Sequence, residues 1–420
     1  MNRSIAPDYT QAENLAIQFP EKIQLAEGIQ LFWMKDVKDD SVKLDIEWRA
    51  GSKYQAKKLV ASFTNKLVLS GDENKPSSAI QEEIDYYGGF LQHELDRDHA
   101  GLVLYGLRDN IAKVFGIVTE ALATVSFPEK QFEKERRVAT MAFNIESKKV
   151  KNLCQRRFNL AVFGEESAYG KSADEADFAA VERQDLNDFY QAIYQEGTPI
   201  VFLVGNVEAA FIEELKTWAQ SFRPKTNNYT AQLSRQEKGR IANIVVEDAL
   251  QSAIRIGRLM FNKTHPDYFG FQVLNTVLGG YFGSRLMANI REDKGYTYGI
   301  GSDLAVMEDA AYFIISTEVG IDVREETLQE VFNEIERLQN ELISEEELSK
   351  VKNYLLGDFL RQADGPIAMM ENFKNIHFNE LPRTYYSDFI HAIHTTTAVE
   401  LQNLAIKYLQ REDLTIVTAG

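Results

Sequence analysis

Apolar and polar residues alternate with period two over several short runs, and recur with a period near 3.6 over longer stretches between them. IQLAEGIQLFWMKD (23–36) reads as a hairpin about Gly28, VKLDIEWRA (42–50) as a strand, and FLQHELDRDHAGLVLYGL (90–107) as a longer strand pair. Further on, IANIVVEDALQSAIRIGRLM (241–260) and YTYGIGSDLAVMEDAAYFIISTEVG (296–320) carry the same signal. Amphipathic helices are predicted at 56–70, 77–88, 110–125 and 129–150, and again at 267–279, 284–293, 323–341 and 344–362.

The elements repeat in order. PIVFLVGNV (199–207) and LTIVTAG (414–420) are apolar runs closing on glycine, each after a helical stretch, LNDFYQAIYQ (186–195) and LQNLAIKYLQ (401–410). FPEKQFEKERRVATMAFN (127–144) matches ISEEELSKVKNYLLGDFL (343–360) in kind: a turn residue, an acidic first turn, then a long helix. PKTNNYTAQLSRQEKGR (224–240) is polar and reads as a linker. The pattern predicts an α+β protein of two duplicated lobes, 1–223 and 241–420, each an antiparallel-rich sheet with helices packed on one face.

Composition narrows the function classes. Of 420 residues, 46 are Lys or Arg and 63 are Asp or Glu, a net charge of −17, so nucleic acid is an unfavourable partner. A single cysteine, Cys154, excludes an internal disulfide and a cysteine zinc cluster. The polar N-terminus lacks the apolar core of a signal peptide, and the apolar runs break too early to span a membrane. A cytoplasmic chain without membrane attachment is expected.

The segment with the most chemical content is VLGGYFGSRLMANIREDKGYTYGI (277–300). Glycines 279, 280 and 283 loosen a helix end, SRLMANIRED forms a short helix, and Gly295 caps it. Tyr296 and Tyr298 then fall on one face of a strand, and Arg291 in the last helical turn is placed to meet it. A guanidinium and a phenol together can donate hydrogen bonds to a carbonyl or its developing oxyanion. Taken alone, the same residues also read as an Arg291 ion pair with Glu292 or Asp293 beside packing aromatics.

This segment closely resembles the second-lobe signature of the pitrilysin, insulinase and mitochondrial-processing-peptidase family of metallopeptidases. That signature runs Gly-Gly, Ser-Arg-Leu and Ile-Arg, then closes on Gly and Tyr. The family's substrate-binding Arg and Tyr stand seven positions apart, the spacing of Arg291 and Tyr298. The resemblance extends over nearly the whole chain, since family members are also built from two duplicated α+β lobes.

The resemblance implies a zinc site in the first lobe, on an inverted His-x-x-Glu-His helix. The matching segment is LVASFTNKLVLSG (59–71), where Ser62 and Lys66 replace the histidines and Asn65 replaces the catalytic glutamate. Glu135-Arg136 matches the pair that precedes the third ligand, which puts Ala142 in the ligand's place. A catalytic zinc needs three protein ligands and an exchangeable water. An ammonium and an alanine methyl donate no lone pair, so this chain is expected to bind no catalytic zinc. Glu135 stands where the family keeps an outer carboxylate, but EKERR (133–137) reads equally as a solvated helix face, and that reading is preferred.

Other groupings carry less. His93 and His99 on an extended run stand about 20 Å apart and cannot share a metal. Ser62 and Lys66, one helical turn apart, resemble a nucleophile–base pair only if the lysine is desolvated.

The resemblance therefore implies a non-catalytic, substrate-binding subunit of a heterodimeric zinc peptidase. Arg291 and Tyr298 would grip the peptide, while a homologous chain bears the zinc. Such a pair would enclose an acidic chamber suited to extended or basic peptides. The chain is expected to be inactive alone, with a homodimer as its alternative assembly in isolation. Two other readings remain, a core-protein-like structural subunit and a self-sufficient peptidase with a displaced zinc site.

Overall fold

The computed structural model describes residues 18–35, 37–72, 74–223 and 239–420. The N-terminal reading (1–17) and most of the junction (224–238) lie outside the described residues. In the first half the order is β1 (Glu21–Ala26), β2 (Ile29–Met34), β3 (Ser41–Trp48), α1 (Val60–Leu67), α2 (Ser77–Tyr86), β4 (Phe90–Leu95) and β5 (Ala100–Leu107). There follow α3 (Ile111–Thr124), α4 (Glu129–Glu146), α5 (Val150–Phe163), α6 (Glu175–Ala180), α7 (Arg183–Phe189), β6 (Ile200–Val204) and α8 (Ala209–Ala219). The second half runs β7 (Ile241–Ile244), β8 (Gln251–Met260), α9 (Tyr268–Asn275), β9 (Thr297–Val306), β10 (Ala311–Gly320) and α10 (Arg324–Asn340). It ends with α11 (Glu345–Gln362), α12 (Pro366–Phe378), α13 (Tyr385–Thr395), α14 (Ala398–Tyr408) and β11 (Thr415–Ala419).

The strand orders are β1-β2-β6-β3-β5-β4 and β7-β11-β8-β10-β9. Without β1 the two coincide position for position. The parallel pair β2–β6 matches β7–β11, and every other neighbour is antiparallel in both sheets. The repeated runs near 200 and 415 become β6 and β11, and the repeated long helices become α4 and α11. The duplication is thus one of topology as well as sequence pattern. Gly28 turns the β1–β2 hairpin at φ +73°, a conformation that favours glycine.

Each sheet packs its own helices against one face. In the first, Leu44, Ile46 and Trp48 of β3 point into a core with Phe63 of α1 and Val114 and Val118 of α3. In the second, Ile254 and Ile256 of β8 meet Phe271, Val331 and Leu401. The opposite faces are also covered, each by a helix of the other half. Helix α5 lays Cys154, Phe158 and Val162 onto Ala253, Ile314, Val417 and Ala419. Helix α12 lays Met370 and Phe373 onto Phe32, Met34, Phe202 and Val204.

This exchange explains an unusual strand. Lys43, Asp45 and Glu47 alternate with apolar residues along β3, a pattern that ordinarily marks a solvent face, yet all three are buried. Helix α12 supplies the countercharge. Lys374 pairs with Asp45 and, at 2.6 Å, with Glu47, while Lys43 lies 2.8 Å from Asp45 and 2.5 Å from Glu371. A second interhalf network surrounds Lys53 Nζ, which lies 2.9 Å from Asp98, 2.5 Å from Glu308 and 2.9 Å from Asp309. The Tyr169 hydroxyl donates to Asp98 at 2.6 Å. No single helix among the described residues is long and apolar enough to cross a membrane.

Candidate functional site

Helix α1 carries the positions where the resemblance requires a metal motif. It starts abruptly after Leu59, whose φ of +72° is strained for a branched side chain. Asn65 points inward, 2% exposed, and its side-chain N–H donates at 3.4 Å to the Gly101 carbonyl and the Tyr194 hydroxyl. Ser62 and Lys66 face outward, Ser62 onto a cavity of ≈ 510 Å³ and Lys66 onto one of ≈ 240 Å³. Lys66 Nζ lies 2.7 Å from Glu135 Oε1 on α4. Ala142, two turns further along α4, is exposed.

Glu135 is therefore more than a solvated helix residue. It reaches across to α1 and holds an ammonium. The same contact removes the nucleophile–base reading of Ser62 and Lys66, since Lys66 is exposed and paired with a carboxylate rather than desolvated. A zinc ion does not fit this donor set: Ser62 is one weak ligand, Lys66 a cation, and Ala142 no ligand. Among the described residues, one trio of carboxylates, Asp98, Glu308 and Asp309, lies close enough to share a metal. Lys53 is within 3 Å of all three and acts as their cation.

The outer face of α4 is unusually apolar. Val138, Met141 and Ile145, at helical spacing, are 50%, 62% and 66% exposed and flank Ala142.

The second candidate constellation lies at the edge of the other sheet. Arg291 sits on a π-helical turn, Met287–Asp293, closed by Lys294 N–H donating to the Asn289 carbonyl at 3.1 Å. Such turns are rare and concentrate at functional sites. Gly295 follows at φ +67°, the expected cap. The Arg291 guanidinium rests 4.7 Å from the Phe282 ring centroid and touches Glu292 at 3.2 Å. The ion pair expected in the plain reading thus exists, but an exposed pair of this type is worth at most about 1 kcal/mol and is readily displaced.

Tyr298 is 96% exposed. Here the structure corrects the expectation that Tyr296 and Tyr298 share a strand face. Tyr296 precedes β9 and packs against the second core. Tyr298 and Gly299 together oppose the single residue Glu318 on β10, a β-bulge that throws the tyrosine outward. Threonine hydroxyls pin the bulge. Thr297 Oγ1 donates to the Glu318 carbonyl at 2.7 Å and accepts the Gly299 N–H at 3.1 Å. Thr317 Oγ1 donates to the Gly299 carbonyl at 3.0 Å. Tyr298 lines a cavity of ≈ 330 Å³ with Lys151, Arg255 and Glu318, and Arg291 does not.

His93 and His99 are separated by a chain reversal rather than lying on one run. Asp96 N–H donates to the His99 carbonyl at 2.9 Å, and β5 begins at Ala100. His99 Nε2 lies 3.1 Å from Glu308 of the other half, an ion pair without good hydrogen-bond alignment. Burial alone would lower the His99 pKa, but the Glu308 carboxylate raises it above the ordinary value. Burial would likewise raise that of Glu308, yet His99 and Lys53 hold it at about 2.

Two family models match the chain. Residues 33–169 match the insulinase (peptidase family M16) model, and residues 180–355 match the peptidase M16 inactive domain. The chain is 20% identical over 347 residues to an uncharacterized zinc protease, YmxG, of Bacillus subtilis, covering 80% of this chain and 82% of that one. It is 18% identical over 396 residues to a probable mitochondrial-processing peptidase subunit beta of Arabidopsis thaliana, covering 88% and 72%. A solved peptidase M16 inactive domain from Pseudomonas fluorescens superposes with a TM-score of 0.86 at 22% identity, over 96% of this chain and 98% of that one. At that identity the likeness bears on the fold alone.

Proposed function

The chain belongs to the insulinase (M16) peptidase family, and from that premise we propose that it is the peptide-gripping, non-catalytic subunit of a two-chain zinc peptidase. The observation that carries the reading is the Lys66–Glu135 ion pair, which puts an ammonium where a family zinc would need neutral or anionic donors. The chain keeps the other half of the chemistry. Tyr298 is held out by its bulge, and Arg291 is tethered only by an exposed pair with Glu292 and the face of Phe282.

In this reading the phenol of Tyr298 and the guanidinium of Arg291 donate hydrogen bonds to a backbone carbonyl of the peptide, fixing its orientation. The exposed Val138–Met141–Ile145 stripe of α4 forms an apolar wall, and the partner chain holds the zinc and supplies its Lewis-acid chemistry. The pairing is with a homologous chain that carries an intact His-x-x-Glu-His helix. The purified chain should cleave no peptide alone, and peptidase activity should appear on mixing with that partner. Stoichiometric zinc in the purified chain with chelator-sensitive cleavage would overturn the proposal. Assembly with a partner but no activity and no peptide binding would favour the scaffold reading.

A further inference from the structure

A chain of net charge −17 would be expected to line its cavities with acid, yet the ≈ 510 Å³ cavity beside Ser62 is basic. It lies between the start of α1 and the segment joining α5 to α6. Its wall includes Lys58, Arg97 and Lys171 against one carboxylate, Glu166. Lys53 also borders it but is drawn to the interhalf carboxylates, and Lys58 is drawn to Asp177 at 3.0 Å. Two cations are left over. Arg97 donates one hydrogen bond, to the Tyr169 carbonyl, and among the described residues no carboxylate lies within ion-pair distance of it. Lys171 is exposed and likewise has no acidic partner among the described residues.

Arg97 is half-buried, and burial pulls its pKa below the ordinary value, outweighing the opposing influence of Tyr312, Tyr169 and Asp98. A guanidinium has five donors, so one carbonyl leaves a planar fork unused. The hydroxyls of Ser62 and Ser172 line the same cavity. We propose that this pocket seats an oxyanion group, a carboxylate or phosphate, with Arg97 as its fork and Lys171, Ser62 and Ser172 as flanking donors. The site stands apart from the Arg291 and Tyr298 constellation, so its ligand chemistry does not depend on that role.

The test is calorimetric titration of the full chain with inorganic phosphate, and with two peptides identical except for Glu or Gln at one position. Preference for the Glu peptide assigns the oxyanion to a peptide side chain, and binding of phosphate alone assigns it to a free anion; either supports the site. In both cases Lys171→Glu should weaken binding about tenfold or more with unchanged melting, and added salt should weaken it further. Arg97→Gln should do the same, and Lys171→Glu keeps the test valid if Arg97→Gln loosens the Tyr169 loop. Absence of binding by phosphate and the Glu peptide, or binding indifferent to Lys171→Glu, would overturn the proposal.

Discussion

Lys66 Nζ stands 2.7 Å from Glu135 Oε1, so α1 offers a cation to the carboxylate that α4 extends toward it. The two helices thus lie within side-chain reach of each other at this point. Restoring donors in the triple variant Ser62→His, Lys66→His, Ala142→Glu should give one zinc per chain by elemental analysis, with none in the unaltered protein. Failure of the triple variant to bind zinc while folded would mean that α1 and α4 are misaligned for coordination.

Thr317 supplies one of the two hydroxyls that pin the bulge at Tyr298. Thr317→Val removes the donor to the Gly299 carbonyl and should cost about 1–2 kcal/mol in urea unfolding. If the bulge aims Tyr298 at peptide, the variant should also lose peptide affinity in the assembled enzyme. Loss of stability with full affinity would show that the bulge is only structural.

Exchange of α5 and α12 makes the halves one cooperative unit. Lys374→Met leaves buried Glu47 without its cation, and Asp45 with Lys43 alone, and should cost about 3–5 kcal/mol. The chain should melt in a single calorimetric transition. Two transitions, with Lys374→Met shifting only one, would contradict the coupling.

The ion pair between His99 and Glu308 ties stability to pH. His99 has a raised folded pKa, so its contribution is complete below the unfolded value of about 6.5 and is lost as pH rises through the folded one. Asp96 and Glu47 also face it with negative charge. Glu308 works in the opposite sense: its contribution is present above about pH 4.3 and is lost as pH falls toward about 2. Denaturant midpoints should therefore fall above about pH 6.5 in the wild type and vary less in His99→Gln. Parallel curves for both proteins would remove His99 from the account.

Much of the fold was legible because strand alternation and helical spacing are local. The hairpin at Gly28, the strands near 42–50 and 297–320, and the repeated order of elements all follow from neighbouring residues. The exchanged helices were not legible. Alternation in VKLDIEW reads as a solvent face, since nothing near it in sequence announces that Lys374, more than 300 residues away, will neutralise Glu47. The site divided along the same line. Gly295 and the Arg291–Tyr298 spacing are local features, whereas the bulge arises from Thr317 on another strand and the Lys66 contact from a carboxylate 69 residues on.

The central claim is that Tyr298 and Arg291 act on a peptide cut by another chain's zinc. It is tested most directly by kcat/KM of the assembled two-chain enzyme carrying Tyr298→Phe or Arg291→Ala in this chain alone. If each side chain supplies a donor to the reacting carbonyl, each variant should lose about a hundredfold, with assembly and melting unchanged. Undiminished kcat/KM in both variants would contradict the account.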